Sequence, residues 1–145
     1  QGAGIPGLRF LAPVDGDLYP DVLRAADLLL VNERSSVGDM SLPSKLTSYF
    51  STGSPVLAAV GPDGSCAREV ARTEGAAVRI DAEDPQLLAD TILELASDPE
   101  RRARMGAAAQ VYADRYLGRG SASASVRSFV TALLGDVREP ATAGR

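Results

Sequence analysis

Two short stretches, residues 27–33 (DLLLVNE) and 55–60 (PVLAAV), are apolar along nearly their whole length. They set the tightest limit on what this chain can fold into. A strand with one face in water alternates apolar and polar residues, whereas an unbroken apolar run suits a strand buried on both faces. Such strands belong to parallel sheets with helices packed on either side. Residues 8–14 (LRFLAPV) and 76–81 (AAVRID) read as two further strands.

The segments between them carry helix signals. Residues 18–26 read as a short helix with Asp17 as N-cap and Pro20 in its first turn. A helix starting around Pro43-Ser44 places Leu46, Tyr49 and Phe50 on one face and ends at Thr52-Gly53. Residues 66–74 form a third, closed by Gly75. Asp84-Pro85 and Asp98-Pro99 each supply a capping carboxylate followed by Pro at the first helical position. The first of these helices buries Leu88, Ile92 and Leu95, and the second Met105, Ala108, Val111 and Tyr112. Gly118-Arg119-Gly120 breaks the pattern. A last helix carries Val126, Phe129, Val130, Leu133 and Leu134 at helical spacing, as core packing or as a surface for another domain. Residues 139–145 form a loose tail.

The expected fold is therefore α/β: one domain over residues 1–145, a Rossmann-like parallel sheet with helices on both faces. Four strands fall short of the roughly six of a doubly wound sheet. Together with an opening at Gln1-Gly2, this predicts that an upstream part is missing. A truncated sheet has an open edge, which predicts a homodimer or poor solubility.

Composition removes several chemistries. The chain has no His, so His-based triads and imidazole metal sites are excluded. Its one cysteine, Cys66, forbids an internal disulfide and a Cys-rich zinc site, and points to a reducing, cytoplasmic setting. A net charge of −4 offers no overall basic field for nucleic acid. No apolar run approaches the ~20 residues of a membrane span.

In open parallel sheets, ligands bind beyond the carboxyl ends of the strands. Loops 13–17, 34–42 and 61–65 belong on that edge. The helix starting near Pro43 aims its free N–H groups and positive dipole end at the same crevice. Ser44 and Lys45 occupy its first turn, and Lys45 shares a face with Ser48. A hydroxyl, an ammonium and unpaired N–H groups together suit a phosphate or diphosphate. The plainer account is that Ser44 caps the helix and Lys45 is solvated.

The run Gly38-Asp39-Met40-Ser41-Leu42-Pro43-Ser44-Lys45-Leu46-Thr47-Ser48-Tyr49-Phe50, followed by Thr52-Gly53-Ser54-Pro55-Val56-Leu57-Ala58, resembles the donor-binding segment of GT-B glycosyltransferases. It is most similar to the retaining family-4 type and, within that, to the colanic-acid-type enzymes of polysaccharide assembly. The flanks resemble them as well, so that the chain matches the later part of a GT-B C-terminal domain. The resemblance implies a nucleoside-diphosphate sugar as donor, a sugar transferred to an acceptor hydroxyl, and no metal or other cofactor. It implies an N-terminal acceptor domain as partner, and a place in the cytoplasm or at the inner face of the membrane. It places Leu42, Pro43, Ser44, Lys45 and Leu46 beside the donor's diphosphate and ribose, Pro13 and Val14 near the base, and Asp39 near the sugar hydroxyls. Many family members carry two glutamates eight apart here; this chain has Met40 and Ser48 at those places, so Ser48 is the donor-binding residue at the ribose and the contact differs or is weaker. It implies no catalytic residue within the chain. The alternative from another class is a non-catalytic α/β module that holds a nucleotide or phosphate.

Other features have plainer roles. Gly2-Ala3-Gly4-Ile5-Pro6-Gly7 matches the letters of a dinucleotide fingerprint but has no strand before it or helix after it. Residues 61–65 (GPDGS) make a turn in which Ser65 caps the next helix. Glu33 ends a buried strand, where it meets the donor or pairs with Arg34. Cys66 is a small buried residue. Arg101, Arg102 and Arg104 form a solvated helix face.

Overall fold

The structure, a computed structural model, describes residues 6–34 and 44–136. The two apolar runs become neighbouring parallel strands, β1 (Leu29–Asn32) and β2 (Val56–Ala59). The third strand, β3 (Ala77–Ile80), pairs with β2, again in parallel, giving the order β1-β2-β3. Leu29 stands opposite Val56, and Val56 opposite Ala77. Every residue of β2 is buried, as its unbroken apolar sequence requires. β1 buries Leu29 and Val31 but leaves Leu30 and Asn32 exposed, because among the described residues it is an edge strand.

Helices α1 (Tyr19–Arg24), α2 (Ser44–Ser51) and α3 (Ser65–Arg72) alternate with these strands. α4 (Pro85–Ser97), α5 (Pro99–Tyr112), a π-helical turn (Ala113–Leu117) and α6 (Arg119–Asp136) follow β3. Side chains alternate across the sheet. Leu29, Val31, Val56, Ala58 and Val60 face a core shared with Leu46 and Phe50 of α2, Cys66, Ala67 and Val70 of α3, and Ala109 and Tyr112 of α5. Leu57, Ala59 and Ile80 face the other side and meet Leu88 of α4. Helices thus cover both faces. The crossover helices α2 and α3 share one face, as they must when a sheet grows in one direction with connections of one hand. Phe50 and Leu46 are fully enclosed, each contributing about 1.5–3 kcal/mol by burial.

Both expected Asp-Pro starts are present. Asp84 accepts from the Leu87 N–H at 2.9 Å, and Asp98 from the Arg101 N–H at 2.8 Å. Gly53 ends α2 in the left-handed region, at φ 69°.

Several expectations are corrected. Residues 8–14 are not a strand; they run exposed and irregular ahead of α1, with Phe10 83% accessible. A strand needs a partner ladder, and among the described residues the sheet has three strands only. The α1 cap is Leu18 without a side-chain bond, not Asp17; backbone N–H groups of Leu18 and Tyr19 donate to Asp15 O instead. Ser65 does not cap α3: Gly64 is the N-cap and Ser65 lies inside the helix. On α4 the buried line is Thr91 and Leu95, and Ile92 is exposed. On α5 it is Met105, Ala109 and Tyr112, and Val111 is exposed. The rest of both stripes lies where expected: Leu95, Met105 and Tyr112 are buried, and Leu88 and Ala108 pack against the core. The break at Gly118 is preceded by the π-helical turn. Val126, Phe129, Val130 and Leu133 of α6 are exposed, so this stripe is not core packing within the chain. The tail at 139–145 lies outside the described residues.

A close approach joins α5 to the end of α2. A Cβ added at Gly106 would sit 2.7 Å from the Gly53 carbonyl oxygen, which is backbone and cannot swing aside. Gly106→Ala should therefore destabilise the fold, although Ala is favoured over Gly in a helix by about 1 kcal/mol. Urea denaturation should show a lower midpoint; a raised midpoint would mean that the two segments lie farther apart.

Candidate functional site

α2, α3 and α4 follow β1, β2 and β3 in turn along the chain, so their N-termini gather along the carboxyl edge of the sheet. That edge is closed tightly between β2 and β3. Arg79 donates to Val60 O at 3.0 Å and to Asp81 Oδ1 at 2.8 Å, binding the two strand ends together. Glu33 N–H donates to Ala59 O at 3.0 Å, extending the β1–β2 ladder by one step.

Beyond these ends lies a cavity of about 480 Å³. Asn32, Glu33 and Arg34 line it from the end of β1, and Glu83 and Asp84 from the start of α4. Ala59 and Leu88 give it an apolar floor. Its size falls within the roughly 300–1,000 Å³ of small-molecule sites. Glu83 has φ 66°, a left-handed backbone that a non-glycine residue adopts at a cost. Carboxylates accept hydrogen bonds, while Asn32 and Arg34 donate them. A ligand rich in hydroxyl groups is what such a mixed lining can orient.

α2 brings the expected anion-binding residues to the described part of the molecule. Ser44 and Lys45 are exposed on its first turn, which contains no acidic side chain. Leu46 is fully buried in the core, so only its backbone is available to a ligand. Ser48 is half-buried and donates to Ser44 O at 3.1 Å. Pro13 and Val14 lie in the exposed segment ahead of α1, not at the end of a strand, and the geometric reason for setting them beside a base is gone. Asp39, Leu42 and Pro43 lie outside the described residues. The sequence places Arg34 on this edge through its loop but passes over Asn32 and Glu83. The only sequence signal of these two is position: Asn32 ends β1, and Glu83 lies two residues before α4.

At the start of α3, the Ser65 hydroxyl is buried with no hydrogen-bond partner among the described residues. The neighbouring Cys66 is enclosed, and burial, reinforced by the Glu33 and Glu69 carboxylates, pushes its thiol up to about 11. It stays protonated at neutral pH and is a packing residue, not a nucleophile. Burial and the hydrogen bond from its hydroxyl to Glu69 also push Tyr112 upward.

No protein-family model matches the chain, and neither a curated protein nor a solved structure does. Among the described residues, no group of three or more His, Cys, Asp or Glu side chains is placed to hold a metal ion. No helix among them is long and apolar enough to cross a membrane.

The Cys66 shift has a sign that can be checked. Above the thiol's ordinary pKa the unfolded chain loses this proton while the native state keeps it, up to about 11. Stability should be unaffected by this group below that range and should fall with rising pH within it. Cys66→Ala should remove part of that slope in urea melts at several pH values. An identical slope in the variant would mean that the thiol does not contribute.

Proposed function

We propose that this chain is the donor-binding part of a GT-B glycosyltransferase, seating a nucleoside-diphosphate sugar on the carboxyl edge of its sheet. One observation carries the reading: Ser44 and Lys45 are exposed on the first turn of a helix that starts on the sheet's ligand-binding edge. The helix end supplies partial positive charge and unpaired N–H groups, and Lys45 a full charge. The resemblance of residues 38–58 to family-4 donor segments supports the same reading.

In the reaction, the acceptor oxygen forms a bond to the sugar's anomeric carbon. The bond from that carbon to the diphosphate oxygen breaks, and the diphosphate leaves with the electron pair. The acceptor hydroxyl's proton passes to the departing diphosphate. Charge builds on the leaving diphosphate, where the first turn of α2 and Lys45 oppose it. The cavity of Asn32, Glu33, Arg34 and Glu83 suits the hydroxyl groups of the transferred sugar. Retention of configuration and an acceptor bound by a separate N-terminal domain are what the resemblance implies.

Calorimetric titration of the full chain with UDP, GDP and ADP tests the proposal. One of the three should bind, and Lys45→Ala should weaken it by roughly 1–3 kcal/mol. Binding unchanged by Lys45→Ala would remove Lys45 from the site. No binding by any of the three would remove the donor reading itself.

A further inference from the structure

A second concavity lies on the other side of α2, where α1 and the π-helical turn meet it. Its volume is about 470 Å³. One wall is a row of four hydroxyls: Thr47, Ser48 and Ser51 of α2, and Thr52 just past its end. The facing wall is apolar, built from Tyr19, Pro20 and Leu23 of α1 and Leu117 of the π-helical turn. Arg24 stands on the rim.

The hydroxyl protons are already committed. Thr47 donates to Ser44 O at 2.8 Å and Ser48 to the same oxygen at 3.1 Å. Ser51 donates to Thr47 O at 2.8 Å, and Thr52 to Tyr49 O at 2.7 Å. Each hydroxyl has one proton to give and lone pairs left over, so the wall presents acceptors. An occupant must therefore donate hydrogen bonds. An anion is repelled by the lone pairs. The Arg24 guanidinium on the rim is paired with Asp21 at 2.8 Å, so the groove carries no unpaired charge to draw an ion of either sign. What remains is a neutral ligand with hydroxyl donors along one edge and an apolar face for the Tyr19 ring, itself 39% exposed. A sugar ring has that combination.

We propose that this groove binds a neutral carbohydrate residue, as a site separate from the diphosphate seat at Ser44 and Lys45. The inference rests on the hydroxyl geometry and not on the donor reading.

The test is a titration of the full chain, isotopically labelled, with maltose, lactose and mannobiose, followed by amide shifts in two-dimensional NMR. At least one disaccharide should give saturable shifts centred on Tyr19, Leu23, Thr47, Ser51 and Leu117. Ser51→Leu fills the groove at an exposed position, and Thr47→Val removes one acceptor while keeping the side chain's shape. Each should weaken that binding by roughly tenfold or more, with the remaining amide spectrum unchanged as proof of folding. Lys45→Ala should leave it unaltered, whatever it does to nucleotide affinity. Saturable shifts that survive Ser51→Leu, shifts centred on another surface, or none with any of the three sugars would each overturn the proposal.

Discussion

The burial of β2 on both faces is the constraint from which the rest of the molecule follows. Its backbone groups are paired with β1 on one side and β3 on the other, and its side chains are shut away from water by α2 and α3 on one face and by α4 on the other. A strand held in this way must have parallel neighbours, because the helices that cover it also carry the chain back to the start of the next strand. All strands then end on one edge, and α2, α3 and α4 begin there. The clustering of three helix N-termini is thus a consequence of burying one short apolar segment.

The same arrangement separates two kinds of polar surface on α2. Its first turn, with Ser44 and Lys45, faces solvent at the carboxyl edge and offers positive charge. Its flank, with Thr47, Ser48 and Ser51, has its hydroxyl protons turned inward to the helix's own carbonyl groups. A single eight-residue helix therefore presents an electropositive end and an acceptor-rich side, while Leu46 and Phe50 fix it to the sheet. Tightness at the other end, where Gly53 meets Gly106, leaves little freedom for the helix to shift.

Much of the framework could be read from residue order. The Asp-Pro pairs at 84–85 and 98–99 start helices because a carboxylate accepts an N–H three residues on and Pro needs no partner for its nitrogen. Both caps are intact. Readings that depended on a partner fared worse. Residues 8–14 have strand-like composition, yet no neighbouring strand takes up their backbone groups among the described residues. The stripes on α4 and α5 are in place at Leu88, Leu95, Met105, Ala108 and Tyr112, but Thr91 and Ala109 are inside where Ile92 and Val111 were expected. Periodicity fixes which residues share a face but not the angle at which that face meets its neighbour.

The candidate site divides in the same way. Ser44 and Lys45 were legible because a helix start after a parallel strand has only one edge to face. Asn32 and Glu83 were not, since they converge only when the end of β1 and the start of α4, some 50 residues apart in the chain, are brought beside one another. By itself, then, the order of residues settled that 55–60 is a strand buried on both faces, where the two Asp-Pro helices begin, and which chemistries are impossible without histidine. The tertiary structure alone decided which side chains line a common cavity, whether Leu46 is core or contact, and which way the Ser and Thr hydroxyls of α2 spend their protons. The reason is that local rules act over a few residues along the chain, whereas cavities and hydrogen-bond direction are set by what lies across the gap.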